Sequence, residues 1–475
     1  MLDLGFILTT LTDYRPTGQE PLVSSVVIDS RKAKAGSLFI CFVGENADGH
    51  DFVLDAFERG AVAALVERPT AAIAVNVDAA RPWLDQVPED ETLPLPICVQ
   101  VRSTLQSIQT LGRQWRARFP GLRTVGITGS VGKTTTKELT HAVLSRRFNT
   151  LKSEGNYNNE IGLPLTLLRI RPWHQRAVLE MGMYTSGEIS LLCDLARPDV
   201  GVVTIIGTVH MEWLGSIEAI AAAKQELVEA LPAAPNGTAI LNKDDDRVMQ
   251  MADHTQARVF TYGLDSQADV WADNILSMGL DGIYFSMHHG LENLNVQVPL
   301  LGRHSVHTAL RASAVGLVEG LTWDEIVHGL QGLTSQLRLV AVPGPRNSIV
   351  LDDTYNSSPE SAVAALNLLA DLDGRRVAVM GDMLELGPAE EHSHRLVGRR
   401  AKDVADILLT VGELGRLIGE EALVAGMRQE RVFMVSDADE AGSLLEEIIR
   451  TGDVVLVKGS RGIRLDKVVT ALGRD

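Results

Sequence analysis

The stretch Val125-Gly126-Ile127-Thr128-Gly129-Ser130-Val131-Gly132-Lys133-Thr134-Thr135-Thr136-Lys137-Glu138 constrains this chain more than any other. Thr124 to Thr128 is short, β-branched and apolar, the pattern of a buried strand. From Thr134 onward Leu139, Val143 and Leu144 recur on one helical face. Strand, glycine loop and helix in that order let backbone N–H groups curl around a phosphate at a helix N-terminus. Lys133 is then placed to reach the β- and γ-phosphates, and the Thr134 hydroxyl to ligate Mg²⁺. The loop is shorter than the common G-x-x-x-x-G-K-[ST]: the first glycine position of that pattern is Ile127 here, and the loop reads G-x-x-G-K-T from Gly129 to Thr134. A glycine turn before an ordinary helix is the bland alternative. Strand, glycines, Lys-Thr pair and helix agree instead on a nucleoside triphosphate site.

A chain of 475 residues is long enough for about three domains. We expect them at 1–102, 103–337 and 338–475, all of α/β class. In the first, 26–28, 37–43 and 61–67 read as strands and 52–59 as a helix, and the acid- and proline-rich loop 81–96 closes the unit. A helix at 104–118 leads to the glycine loop. The central unit alternates strands at 124–128, 177–181, 200–206 and 238–241 with helices, which predicts a mostly parallel sheet, followed by short strands after Asp253 and helices at 304–320 and 323–331. Pro343-Gly344-Pro345 marks the next boundary region. Strands at 348–352, 376–380, 406–411, 431–435 and 453–457 then build a Rossmann-like third unit.

A net charge of −17 with no basic run argues against a nucleic-acid groove, so an anionic substrate must be held by local Lys, Arg and backbone N–H groups. Cys41, Cys98 and Cys193 show no metal spacing and read as reduced, packed thiols. No basic leader and no membrane-length apolar run is present, so a cytoplasmic protein without membrane insertion is expected.

In open parallel sheets ligands bind beyond the carboxyl ends of the strands. Glu180 ends one predicted central strand, His210 follows another and Asn242 a third, so all three are expected on the edge that carries the phosphate loop. Each alone has an ordinary structural reading; together they suggest a site. Lys224 falls on the apolar stripe Ile217, Ile220, Ala221, Leu227, Val228, Leu231, where burial of an ammonium is costly and lowers its pKa. The spacing equally accommodates a lysine that snorkels at the edge of the stripe. A neutral buried lysine can act as a nucleophile or take up CO₂ as a carbamate.

With these residues in view, the chain resembles the Mur ligase family along its whole length. The resemblance rests on the glycine loop through Glu138, Gly155-Asn156-Tyr157-Asn158-Asn159-Glu160-Ile161-Gly162-Leu163-Pro164, Glu180-Met181-Gly182, His210-Met211-Glu212 with Gly215-Ser216, and Lys224. It continues through Leu241-Asn242-Lys243-Asp244-Asp245, Asp352 to Pro359, Gly381-Asp382-Met383 and Val457-Lys458-Gly459-Ser460-Arg461. Lys137-Glu138 and the Asp-Asp-x-Tyr-Asn segment favour the branch that adds D-alanyl-D-alanine.

The resemblance implies a small α/β UDP-sugar-binding domain, a central P-loop ATPase-like domain and a C-terminal Rossmann-like domain that closes on ATP. The implied ATP contacts are Gly129, Ser130, Val131, Gly132, Lys133, Thr134, Thr135, Asn242, Arg338 and Asp353. Thr134 and Glu180 would hold one Mg²⁺, and His210 with a carbamylated Lys224 a second, so that Lys133, His210 and Lys224 are the implied catalytic groups. Ser30, Arg31, Asn46, Asp48, His50, Asn158 and Asn159 are candidates for the UDP-linked substrate, and Tyr355, Asn356, Lys458 and Ser460 for the dipeptide. The implied reaction joins D-alanyl-D-alanine to UDP-N-acetylmuramoyl-tripeptide through an acyl phosphate, in peptidoglycan precursor synthesis, by a monomer. One departure stands out: relatives read His-Asn-x-x-Asn-Ala where this chain has His304-Ser305-Val306-His307-Thr308-Ala309, so a hydroxyl bond can remain there but no bidentate amide contact. The rival readings are a sister ligase that adds one amino acid, a folate-type ligase, and a nucleotide switch that ligates nothing.

Overall fold

β-Branched runs of four to six residues separated by glycine-rich turns build parallel sheets here, and their carboxyl ends carry the polar residues. The computed structural model describes residues 1–45, 47–70, 75–87, 93–332 and 339–473, and these fall into two compact units. Among them no helix is long and apolar enough to cross a membrane.

The first unit comprises residues 1–124, 149–181 and 190–197. Its parallel sheet has the order Ser25–Val27, Ser37–Ile40, Ala63–Val66, Ile97–Gln100, Val75–Asp78. The last two strands were not expected from the sequence; Val75–Asp78 is a half-exposed edge with a polar alternation, which weakens its signal. Phe39, Cys41, Val53, Ala56, Ala64, Val66 and Cys98 pack as one core on this sheet, with the helix Val53–Glu58 against it. Burial pushes the Cys41 and Cys98 thiols up, which keeps them protonated and unreactive. The helix Thr104–Ala117, capped by Ser103, turns Ile108, Leu111 and Trp115 inward. The strands Thr150–Lys152 and Arg176–Glu180 pair in parallel.

The second unit comprises 125–148, 182–189 and the described residues from 198 onward. Arg123–Thr128, Val200–Val203, Thr238–Asn242, Arg258–Gly263 and Val270–Ser277 run parallel in that spatial order. Ile283–His289 and Glu292–Val298 then extend the sheet antiparallel. A separate sheet is ordered Val340–Gly344, Ser348–Asp353, Val454–Lys458, Arg376–Gly381, Ile407–Val411, Val432–Val435. It is parallel except for its first edge strand, and apolar cores cover both faces, so the third domain is doubly wound. Together with the first, these sheets make three α/β domains, the class anticipated above.

Candidate active site

The strand Arg123–Thr128 delivers the chain into the glycine loop, and the helix Lys133–Leu144 begins directly after it. Gly132 caps that helix at φ 85, a left-handed conformation that glycine adopts without strain. The loop is tied down: Ser130 N–H donates to Ile205 O at 2.8 Å, Gly207 N–H to Ser130 Oγ at 2.9 Å, and Thr204 Oγ1 to Val131 O at 2.7 Å. Gly129 sits at φ 139, and a Cβ there would stand 1.8 Å from Thr204 Oγ1. Gly129→Ala is therefore expected to cost about 1–3 kcal/mol in backbone strain alone and to abolish measurable ADP binding. Gly121→Ala, where a Cβ meets nothing, should leave both unchanged; calorimetry and thermal melts check the pair.

Lys133 Nζ donates to Gly129 O at 2.7 Å and Ser130 O at 3.4 Å, so the ammonium lies over its own loop. Lys224 is 1% exposed on the helix Ile217–Glu229, with Ile220, Ala223, Leu227 and Val228 buried beside it. The snorkelling alternative therefore fails. Burial, reinforced by the charge of Lys133, holds the Lys224 amine well below the usual lysine range. His210 precedes the short helix Met211–Leu214 at φ 70, a left-handed position that a non-glycine residue adopts at a cost. Its ring lies edge-on to Tyr184, and Nδ1 is 3.0 Å from Glu385 Oε2, off the line of a hydrogen bond. Burial, then Lys224 and Lys133, keep this imidazole below its ordinary pKa, with Glu385 opposing. Three groups able to carry positive charge thus converge beside the phosphate loop, the electrostatics of an anion site.

A cavity of about 460 Å³ opens from the loop, a size that suits a nucleotide. Ser130, Val131, Gly132 and Thr135 line one side, Asn242, Asp244 and His304 another, and Asp353, Asn356 and Lys458 of the third domain a further one. Asn242 is buried, with Nδ2 donating to Thr204 O at 3.2 Å and Oδ1 accepting Asp244 N–H at 3.1 Å. Lys458, 1% exposed, pairs with Asp353 at 2.7 Å and donates to Asn356 O at 2.9 Å. Two residues assigned by resemblance to different substrates are therefore one ion pair. Ser460 accepts Leu384 N–H at 2.9 Å, while Tyr355 is exposed.

In the first unit Asn158 Nδ2 donates to Glu180, which is wholly buried, at 2.9 Å, and Asn159 Oδ1 accepts Gly162 N–H at 2.9 Å. Arg31 is exposed and held by Asp29, with Ser30 buried beneath. His50 uses both ring nitrogens internally, Nδ1 on Asp48 at 2.6 Å and Nε2 accepting Glu67 N–H at 2.9 Å, so it shapes its loop. Asn46 and Arg338 lie outside the described residues.

Several site residues were missed by sequence reasoning. His307 Nε2 bonds Asp244 Oδ2 at 2.8 Å. Burial raises the Asp244 carboxyl, but His307 and the N–H groups of Leu264 and Asp265 outweigh it and hold it low. Glu360 Oε1 accepts Thr208 N–H at 3.3 Å, and its Oε2 is buried without a hydrogen-bond partner among the described residues. Arg311 lines the cavity from the helix Val306–Val318. The one sequence signal for it was an arginine within an otherwise apolar helical run, Ala309-Leu310-Arg311-Ala312.

Residues 22–99 match the model described as Mur ligase family, catalytic domain; 127–316 match Mur ligase middle domain; 338–461 match Mur ligase, glutamate ligase domain. The UDP-N-acetylmuramoyl-tripeptide–D-alanyl-D-alanine ligase of Bacillus subtilis is 36% identical, over 96% of this chain and 94% of its own. That of Escherichia coli is 34% identical, over 98% and 97%. Among solved structures, MurF from Acinetobacter baumannii aligns with a TM-score of 0.83 at 28% identity, covering 99% and 98% of the two chains. MurF from Thermotoga maritima in complex with ADP aligns at 0.77 and 26%, covering 95% and 97%. On identity above 30% over nearly its full length, and on family models matched in all three domains, the chain belongs to the Mur ligase family.

Proposed function

We propose that this chain uses ATP to join D-alanyl-D-alanine to UDP-N-acetylmuramoyl-tripeptide, forming an amide bond in peptidoglycan precursor synthesis. The observation that carries the chemistry is the convergence of Lys133, Lys224 and His210 beside the phosphate loop. The tripeptide carboxylate attacks the γ-phosphate of ATP, giving an acyl phosphate and ADP; the dipeptide amine attacks the acyl carbon, and phosphate leaves. Two anions meet in the first step, so charge neutralisation by Lys133 is the main task there. The dipeptide amine has an ordinary pKa of about 8, so a useful fraction is neutral at pH 7 and no strong base is required. The third domain, whose Asp353, Asn356 and Lys458 line the cavity, would exclude water from the acyl phosphate.

Among the described residues no three His, Cys, Asp or Glu side chains gather as a ready-made cation site. A carbamate on Lys224 would replace a charge that repels a cation with one that attracts it, and the depressed amine pKa favours its formation. With it, His210 and Lys224 would hold one Mg²⁺ and the Thr134 hydroxyl would ligate another, which would supply neutralisation of phosphate charge. Ser30, Arg31, Asp48, Asn158 and Asn159 would receive the UDP-linked substrate. Tyr355 and Asn356 would meet the dipeptide, on loops held by Lys458 and Ser460. We take the domain limits as 1–102, 103–337 and 338–475, and place the enzyme, as a monomer, in the cytoplasm with its UDP-linked substrate. The test is phosphate release: turnover should require both the UDP-linked acceptor and the amine, whereas slow hydrolysis indifferent to both would mark a nucleotide switch.

A further inference from the structure

The helix Val306–Val318 buries an arginine among Leu310, Ala312, Ala314 and Val315. Arg311 is 5% exposed, which places a guanidinium cation in the interior. A buried charge requires an anionic or strongly hydrogen-bonding partner. The contacts it makes among the described residues are uncharged: Nη2 donates to Thr308 Oγ1 at 2.8 Å and Nη1 to the Tyr262 hydroxyl at 3.5 Å. Nε is buried without a hydrogen-bond partner among the described residues. Tyr262 cannot supply the anion, because burial holds its phenol up to about 12.

The guanidinium also abuts the phosphate loop, since a Cβ on Gly132 would lie 3.0 Å from Nη2. The backbone of such a loop cradles the α- and β-phosphates. Thr308 and Ser305 are the positions where the family pattern has asparagines. Here Thr308 accepts Arg311, and the Ser305 hydroxyl is spent on Leu301 O at 2.7 Å.

We propose that Arg311, held by Thr308 and facing Gly132 in the cavity, binds the diphosphate of the nucleotide and takes over affinity that the two absent asparagines no longer provide. This rests on the assignment of the cavity to the nucleotide made above. The experiment measures ADP and adenosine affinity, by calorimetry and ligand-detected NMR, for the full chain and for Arg311→Met, Arg311→Lys and Lys133→Ala. Arg311→Met, similar in length and uncharged, should weaken ADP on the order of 10- to 100-fold with adenosine little changed, and Arg311→Lys should recover part of the loss. Equal losses for ADP and adenosine, or ADP binding at the level of the unsubstituted protein, would overturn the assignment. If Arg311→Met does not fold, Arg311→Lys decides by the same ratio, with a selective ADP loss of about 3-fold or more expected from the lost fork of donors. An unsubstituted chain that binds no ADP overturns the cavity assignment together with the role of Arg311, whereas ADP binding weakened by Lys133→Ala but not by Arg311→Met overturns the second alone.

Discussion

Lys133→Ala is expected to lower turnover on the order of 10²–10³-fold in a protein that still folds. The side chain emerges at the first residue of the helix Lys133–Leu144 and lies over the loop carbonyls of Gly129 and Ser130, so its removal leaves the strand and helix intact. What is lost is a cation placed where charge accumulates as a carboxylate approaches the γ-phosphate. Steady-state ADP release with both substrates saturating, beside a circular dichroism spectrum, reads the effect. Near-normal turnover from the folded variant would remove the glycine loop from the mechanism.

Lys224→Ala is expected to be nearly inactive, by about 10³-fold or more if it deletes a ligand anion as well as a positioned group. Lys224 is wholly surrounded, burial and the charge of Lys133 hold its amine pKa well below the usual lysine range, and His210 lies within its electrostatic reach. These are conditions under which an amine takes up CO₂ and the carbamate persists. Short carboxylic acids should partly restore the alanine variant, because they return an anion to the vacated space. Rigorous removal of CO₂ should lower the activity of the unsubstituted protein, and bicarbonate should return it. Full activity in the variant, or indifference to CO₂ with no chemical rescue, would leave Lys224 as a packed lysine.

Both residues were legible in the sequence because periodicity exposes them: one follows a strand–glycine–helix pattern, and the other interrupts an apolar stripe. The parallel core strands were legible for the same reason, being short, apolar and β-branched. The strand Val270–Ser277 was not, since its Asp273 and Asn274 break the pattern at a register shift in its pairing with Ile283–His289. Val340–Gly344 read as a boundary because of Pro343, yet it is an edge strand paired antiparallel with Ser348–Asp353, where a proline is tolerated.

Side-chain partnerships were the least legible part. Nothing in the spacing of Asp353 and Lys458 says that they pair; the parallel register of their strands, Asp353 opposite Lys458, does. Arg311 was passed over because a single arginine on a helix ordinarily reaches solvent, and only the packing around this one denies it.

The most direct test of the whole account is the choice of amine. We would measure kcat/KM for D-alanyl-D-alanine, D-alanine, meso-diaminopimelate and L-lysine, each with the matching UDP-linked acceptor. The account predicts that the dipeptide is preferred and free D-alanine far poorer, because a single residue cannot reach from the acyl phosphate to the third domain's loops around Tyr355 and Asn356. A single amino acid preferred over the dipeptide would contradict it and make this chain a sister ligase.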